Sequence, residues 1–135
     1  MTITEITLAA NNYLLHFLTS IVLTLLFAAF YLWITPYPEL KLIKEGKIAP
    51  AISFSGALLG FVLPMASAIA NSVSFWDMLV WAVFALFVQI AVFFAVRKSI
   101  KDIGNRIEND QIASAILLGV LSLAVGVLNA ASMIY

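Results

Sequence analysis

The sequence predicts an all-α polytopic membrane protein, with four transmembrane helices in two helical hairpins forming one domain over residues 1–135. Three observations lead there. Hydrophobic residues make up 64% of the chain and charged residues 10%, whereas a soluble domain carries about a quarter charged. The apolar residues gather in four runs free of Asp, Glu, Lys and Arg. All seven Lys and Arg lie in two of the connections between those runs.

The runs cover residues 13–34, 48–70, 78–96 and 112–134. At about 1.5 Å per residue each matches a hydrocarbon core of about 30 Å. They are continuous and do not alternate, which favours helices over barrel strands. No Lys or Arg precedes the first run, and it exceeds the apolar stretch of a signal peptide, so Met1 is read as near the mature N-terminus.

Helix one carries His16, Thr19, Ser20 and Thr24. The hydroxyls can bond carbonyls of their own helix, and His16 falls near the outer interface. Pro36 and Pro38 end the helix. Residues 39–45 then suit one or two helical turns on the membrane surface, with Leu40 and Ile43 on one face, or a solvated loop; Gly46 suits a left-handed exit. On helix two, Ala49, Ser53, Gly56, Gly60, Pro64, Ser67 and Asn71 step by three or four into one stripe of small and polar residues. Gly56 and Gly60 form a GxxxG, which lets two backbones approach closely. Pro64 has no amide proton to give, so the carbonyl of Gly60 needs another partner.

Ser74 and Asp77 have the spacing of a capping box at the start of helix three. Phe84, Phe87, Phe93 and Phe94 give that helix wide lipid exposure, with one strongly polar group, Gln89. Asn109 or Asp110 is the expected cap of helix four. Helix four repeats the small-residue face with Ala115, Gly119, Ser122, Gly126 and Asn129. The amides of Gln89 and Asn129 need protein or water as partners, either across a helix contact or along a polar pathway.

An internal repeat is visible at the helix starts: Ile48-Ala49-Pro50-Ala51-Ile52 matches Ile112-Ala113-Ser114-Ala115-Ile116. Later, Val62-Leu63-Pro64-Met65-Ala66-Ser67 matches Val127-Leu128-Asn129-Ala130-Ala131-Ser132. These matches describe two parallel units, 13–71 and 77–135, although chance matching among Ala, Ile and Val is the competing explanation.

Lys41, Lys44 and Lys47 follow helix one, and Arg97, Lys98, Lys101 and Arg106 follow helix three. The opposite side carries no basic residue. By the positive-inside rule both basic loops are cytoplasmic, which puts both termini and the turn at residues 71–77 on the non-cytoplasmic side. Tyr13, Trp76 and Tyr135 then mark the outer interface and Tyr31, Trp33 and Tyr37 the inner one. Seven basic residues balance seven acidic ones, so nothing in the charge favours nucleic acid. With no cysteine and one histidine, no metal site or cofactor is expected. The loop acids Glu39, Glu45, Asp102, Glu108 and Asp110 are interleaved with basic residues in no metal-binding spacing.

The run Glu39-Leu40-Lys41-Leu42-Ile43-Lys44, followed by Ser53-Phe54-Ser55-Gly56-Ala57-Leu58-Leu59-Gly60 with Pro64 and Ser67, resembles the bacterial YjfL-type inner-membrane proteins. Val73-Ser74, Asp77, Trp81, Gln89 and Asn129-Ala130-Ala131 extend the resemblance over most of the chain. It implies a small bacterial inner-membrane protein built on a duplicated two-helix unit, in a family without an assigned activity. Members are often encoded beside envelope-stress genes, which implies a cytoplasmic membrane-stress protein as partner.

The expected function is accordingly non-enzymatic. The protein self-associates into a homo-oligomer through its small-residue stripes, and its basic loops meet a cytoplasmic partner or anionic lipid. The alternative is an oligomeric channel or small-solute transporter whose path is lined by Ser53, Gly56, Gly60, Ser67, Gln89 and Asn129.

Overall fold

The computed structural model describes residues 1–133 and consists, among those residues, of six helices without a strand. In chain order they are α1 Ile3–Ile34, α2 Glu39–Lys44, α3 Ile48–Asn71, α4 Phe75–Ser99, α5 Ile103–Glu108 and α6 Ile112–Ser132. The four long helices are apolar enough and long enough to span a bilayer. They are the four predicted spans, and the chain is a multi-pass membrane protein.

The largest difference from expectation is the start of α1, ten residues before the apolar run. Thr2 and Glu5 form a capping box there: the Glu5 amide donates to Thr2 Oγ1 at 3.2 Å, and the Thr2 amide donates to Glu5 Oε2 at 2.6 Å. Two amides at the helix end are thereby satisfied. The helix has 32 residues, about 48 Å at 1.5 Å per residue, so its first turns project beyond a core of about 30 Å. At α4 the Asp77 amide donates to Ser74 Oγ, while the Asp77 carboxylate accepts from the amide of Val73. The expected cap thus exists, shifted by one residue on its return bond. Residues Ile134 and Tyr135, assigned to helix four and to the outer aromatic belt, lie outside the described residues.

The two short helices end alike. Gly46 donates to the Ile43 carbonyl and Lys47 to that of Leu42; Asp110 donates to Ile107 and Gln111 to Arg106. This is the paired bonding of a Schellman turn, which requires a left-handed residue after the cap. Gly46 supplies it at φ 86° and Asp110 at φ 61°. From position 46 to position 110 the shift is 64 residues, the same as from the start of α3 to the start of α6.

The expected cap of helix four takes another role. The amide side chain of Asn109 bonds back to the Asn105 carbonyl, and Asp110 Oδ1 accepts from the Ala49 amide at 2.8 Å. Asp110 therefore caps α3 and ties the second short connection to the first half of the chain. Each half keeps its hairpin contact, α1 on α3 and α4 on α6, but the largest contact joins the halves through α3 and α6. α1 is peripheral, with only Phe27 and Tyr31 buried. Phe27 stacks on Phe61 at 4.6 Å between ring centroids, and Tyr31 meets Phe93 edge-on at 5.2 Å. Phe93 is thus buried, unlike Phe84, Phe87 and Phe94, which are exposed as expected.

Candidate functional site

Three features are built from the predicted residues: a backbone seam, a basic surface and, unexpectedly, a buried polar cluster. The seam runs along α3 and α6. A methyl group added at Gly56 would overlap the backbone of Gly119, and one added at Gly126 would overlap the backbone of Gly60. Further along, Ser67 Oγ donates to the Ala130 carbonyl at 3.3 Å. Numbers rise together on both helices, so α3 and α6 run parallel and meet within one chain. Between helices lipid gives no hydrophobic drive, so the close backbone approach contributes through dispersion and weak polar contacts.

Pro64 stays buried in a continuous α3, and the carbonyl oxygen of Gly60, which it leaves without an amide, lies where a methyl on Gly126 would stand. The backbone of α6 thus packs directly against it, the kind of approach at which Cα–H···O contacts form. Gly60 also makes room for Gln89, whose amide a methyl at Gly60 would strike. From α4, Gln89 Nε2 donates across that gap to the Ser122 carbonyl of α6 at 3.2 Å. Gly60, Gln89, Ser122 and Gly126 therefore form one three-helix node. Asn129 stands apart from it, half-buried, with a buried Nδ2 that has no hydrogen-bond partner among the described residues. Backbone contact at Gly56–Gly119 and Gly60–Gly126 leaves no lumen along this seam.

Ser53, another residue of the predicted stripe, belongs elsewhere. The connection after α1 reads Thr35-Pro36-Tyr37-Pro38-Glu39, and its burial alternates: Thr35, Tyr37 and Glu39 are buried, while both prolines are exposed. A residue before proline is pushed into extended conformation, as Thr35 shows with φ −74° and ψ 126°. The polar side chains are thereby aimed inward. Glu39, only 2% exposed, accepts from Ser53 Oγ on Oε1 at 3.2 Å, and among the described residues its Oε2 has no hydrogen-bond partner. The buried hydroxyl of Tyr31 stands beside the same group and Ser53, within hydrogen-bond geometry of neither among the described residues.

Burial raises the Glu39 carboxyl to about 7, with the hydrogen bond from Ser53 and the nearby Thr35 hydroxyl opposing the shift. Tyr37 is likewise pushed up by burial and by the neighbouring Glu39 charge, against the opposing pull of Arg97.

This cluster corrects the sequence reading twice. The inward face of α2 carries Glu39 with Leu42 and Ile43, while Leu40 is exposed. Of the three aromatic residues assigned to the inner interface, only Trp33 is exposed; Tyr31 and Tyr37 are core residues. The same shift of 64 residues that aligns the ends of α2 and α5 sets Glu39 against Ile103, the buried first residue of α5.

The basic residues surround this end. Lys41 and Lys44 lie on α2, Lys47 at the start of α3, Arg97 and Lys98 in the last turn of α4, Lys101 after it and Arg106 on α5, and all seven are exposed. Beneath them Tyr37, Val96, Ile103, Ile107, Ala115 and Leu118 form a small core. Gly104 packs beside Pro36 and Tyr37, at 3.6 and 3.8 Å from a methyl placed on it, so the two connections form one cap. Among the described residues no three His, Cys, Asp or Glu side chains stand close enough to share a metal ion.

The sequence profile of the DUF350 family, described as a domain of unknown function, matches residues 2–133. The chain belongs to the DUF350 family. It is 37% identical over 118 residues to the UPF0719 inner membrane protein YjfL of Escherichia coli strain K12, an alignment covering 87% of this chain and 89% of that protein. The YjfL protein of E. coli O157:H7 is similar to the same extent. No solved structure matches the chain. The DUF350 match spans all six helices, the buried cluster and the seam alike, so neither feature is an appendage to the family domain.

Proposed function

We propose that this DUF350 protein is a non-enzymatic protein of the bacterial inner membrane that presents a basic cap to the cytoplasm and binds anionic lipid headgroups there. The observation that carries the reading is the exposure of all seven Lys and Arg around one end of the bundle. Each basic residue near an anionic surface contributes about 1 kcal/mol, and α2, α5 and the end of α4 gather these charges over a shared core. The positive-inside rule supports a cytoplasmic position for that end, with both termini opposite. The relatives' description as inner membrane proteins supports the location. The matching ends of α2 and α5 support two parallel units related by an axis along the membrane normal, with α3 and α6 meeting at that axis.

Self-association through the glycine stripes would need surfaces that α3 and α6 already use on each other. A homo-oligomer would use the exposed aromatic face of α4 at Trp76, Phe84 and Phe87, or the lightly packed α1. An acidic membrane-stress protein at the basic cap fits the same charge and is the alternative occupant.

The test is native mass spectrometry of the whole protein titrated with phosphatidylglycerol or phosphatidylcholine. The anionic lipid should be retained preferentially, and the triple variant Arg97→Gln, Lys98→Gln, Lys101→Gln should lose most of that preference. Equal retention of the two lipids by the native protein would sink the proposal.

A further inference from the structure

Among the buried polar groups, Glu39 stands out because its surroundings offer a charged carboxylate too little. One oxygen accepts from Ser53 at 3.2 Å; that hydroxyl also lies 3.2 Å from the Pro50 carbonyl, and its single proton cannot serve both fully. Among the described residues the other oxygen is buried without a hydrogen-bond partner, as is the Tyr31 hydroxyl nearby. Thr35 Oγ1 spends its proton on the Tyr31 carbonyl at 2.7 Å.

Among the described residues no cation acts on the group at close range from any packed element. α1 contributes Tyr31 and Thr35, the connection Tyr37, and α3 Ser53. Arg97 of α4 and Glu108 of α5 act on Tyr37 with opposite signs. Lys41, Lys44 and Glu45 on the same short helix point to solvent. A buried ionised carboxylate without a counter-charge costs several kcal/mol, whereas a neutral carboxyl gains a donor for an orphaned oxygen.

We propose that Glu39 is a proton-binding site at the basic end of the bundle, that the closed cap is its proton-bound form, and that loss of the proton to adjacent water releases α2 from α3. The hinge is at hand. α2 has 6 residues, it is held to α3 on its inward side through Glu39 and Ser53, and it lies between the Pro36–Pro38 connection and the left-handed Gly46. Ionisation removes the proton that makes the buried position tolerable, and moving one short helix returns the carboxylate to water. The raised affinity of Glu39 for its proton puts this change near neutral pH.

The chain has no cysteine, and its glutamates are Glu5, Glu39, Glu45 and Glu108, so two clean readings are available on the full-length protein in lipid nanodiscs. Carbon-13 NMR of side-chain carboxyls should show one glutamate titrating near pH 7, absent in Glu39→Gln. Maleimide labelling of Leu42→Cys, divided by that of exposed Lys44→Cys to cancel thiol ionisation, should rise several-fold as pH passes through neutrality. With Glu39→Gln added, the ratio should stay low throughout. If all four glutamates titrate together in the ordinary range, the site does not exist. A flat labelling ratio in the native background, or an unchanged rise with Glu39→Gln, overturns the release of α2. The NMR reading needs no variant to fold, because it is made on the native sequence.

Discussion

Glu39 and Ile103 are the first residues of two short helices that end in the same hydrogen bonds, and both are buried. Their difference has an energetic sign. Glu39 holds its proton up to about pH 7, whereas an unfolded glutamate releases it near 4.5. Its contribution to stability is therefore fully present below about 4.5 and lost as pH rises through about 7. Replacing it with the apolar residue type of the other half, Glu39→Leu, should remove that pH dependence. Above neutral pH it should raise stability by about 1–3 kcal/mol, since an apolar side chain carries no ionisation cost. Thermal unfolding in micelles at several pH values checks this; an equal slope in both proteins would assign the dependence to another group. The cluster was hard to read from sequence because Glu39 lies in a run of charges, E-L-K-L-I-K, where a solvated acid is the ordinary outcome. Glu39 is delivered to its inward position by the Pro36–Pro38 connection, whose restriction of Thr35 and Tyr37 is conformational and invisible to hydropathy.

At the scale of elements, the α3–α6 seam decides which substitutions the fold tolerates. Gly56→Leu puts a side chain into the backbone of Gly119 and should cost about 2–4 kcal/mol or separate the helices. Gly104→Ala, inside α5, meets its nearest atom at an ordinary 3.6 Å and should keep or raise stability, by up to about 1 kcal/mol. Melting temperatures of the two variants in the same detergent make the comparison, and equal values would mean that the seam is not close-packed. The spans themselves were legible because length and lack of charge fix them. The stripes of small residues were legible as well, since spacing by three and four marks one helix face. Their partner was not, because a GxxxG motif says that a backbone comes close without saying whose. The early start of α1 was missed for a different reason. Thr2 and Glu5 carry a capping signal in a segment whose hydropathy is broken by Asn11 and Asn12, and a hydropathy reading ends the helix where the apolar run ends.

For the molecule as a whole, the parallel α3–α6 contact makes one bundle out of two hairpins. Each hairpin alone would leave its glycine face against lipid, with no dispersion gain over the tails. Joined, the halves bury both stripes at the centre, expose aromatic and aliphatic side chains outward, and bring α2 and α5 together as a single basic cap. The lipid-binding cap and the proton site at Glu39 both depend on that closure, because both lie where the two connections meet. Disulfide trapping tests it most directly. In the cysteine-free chain, Ile52→Cys and Gly119→Cys place their thiols across the seam, where Ile52 Cγ2 stands 3.5 Å from a methyl at Gly119. Oxidation in native membranes should give a cross-linked monomer of altered gel mobility that reverts on reduction. Cross-linking found only between chains would contradict the intrachain seam.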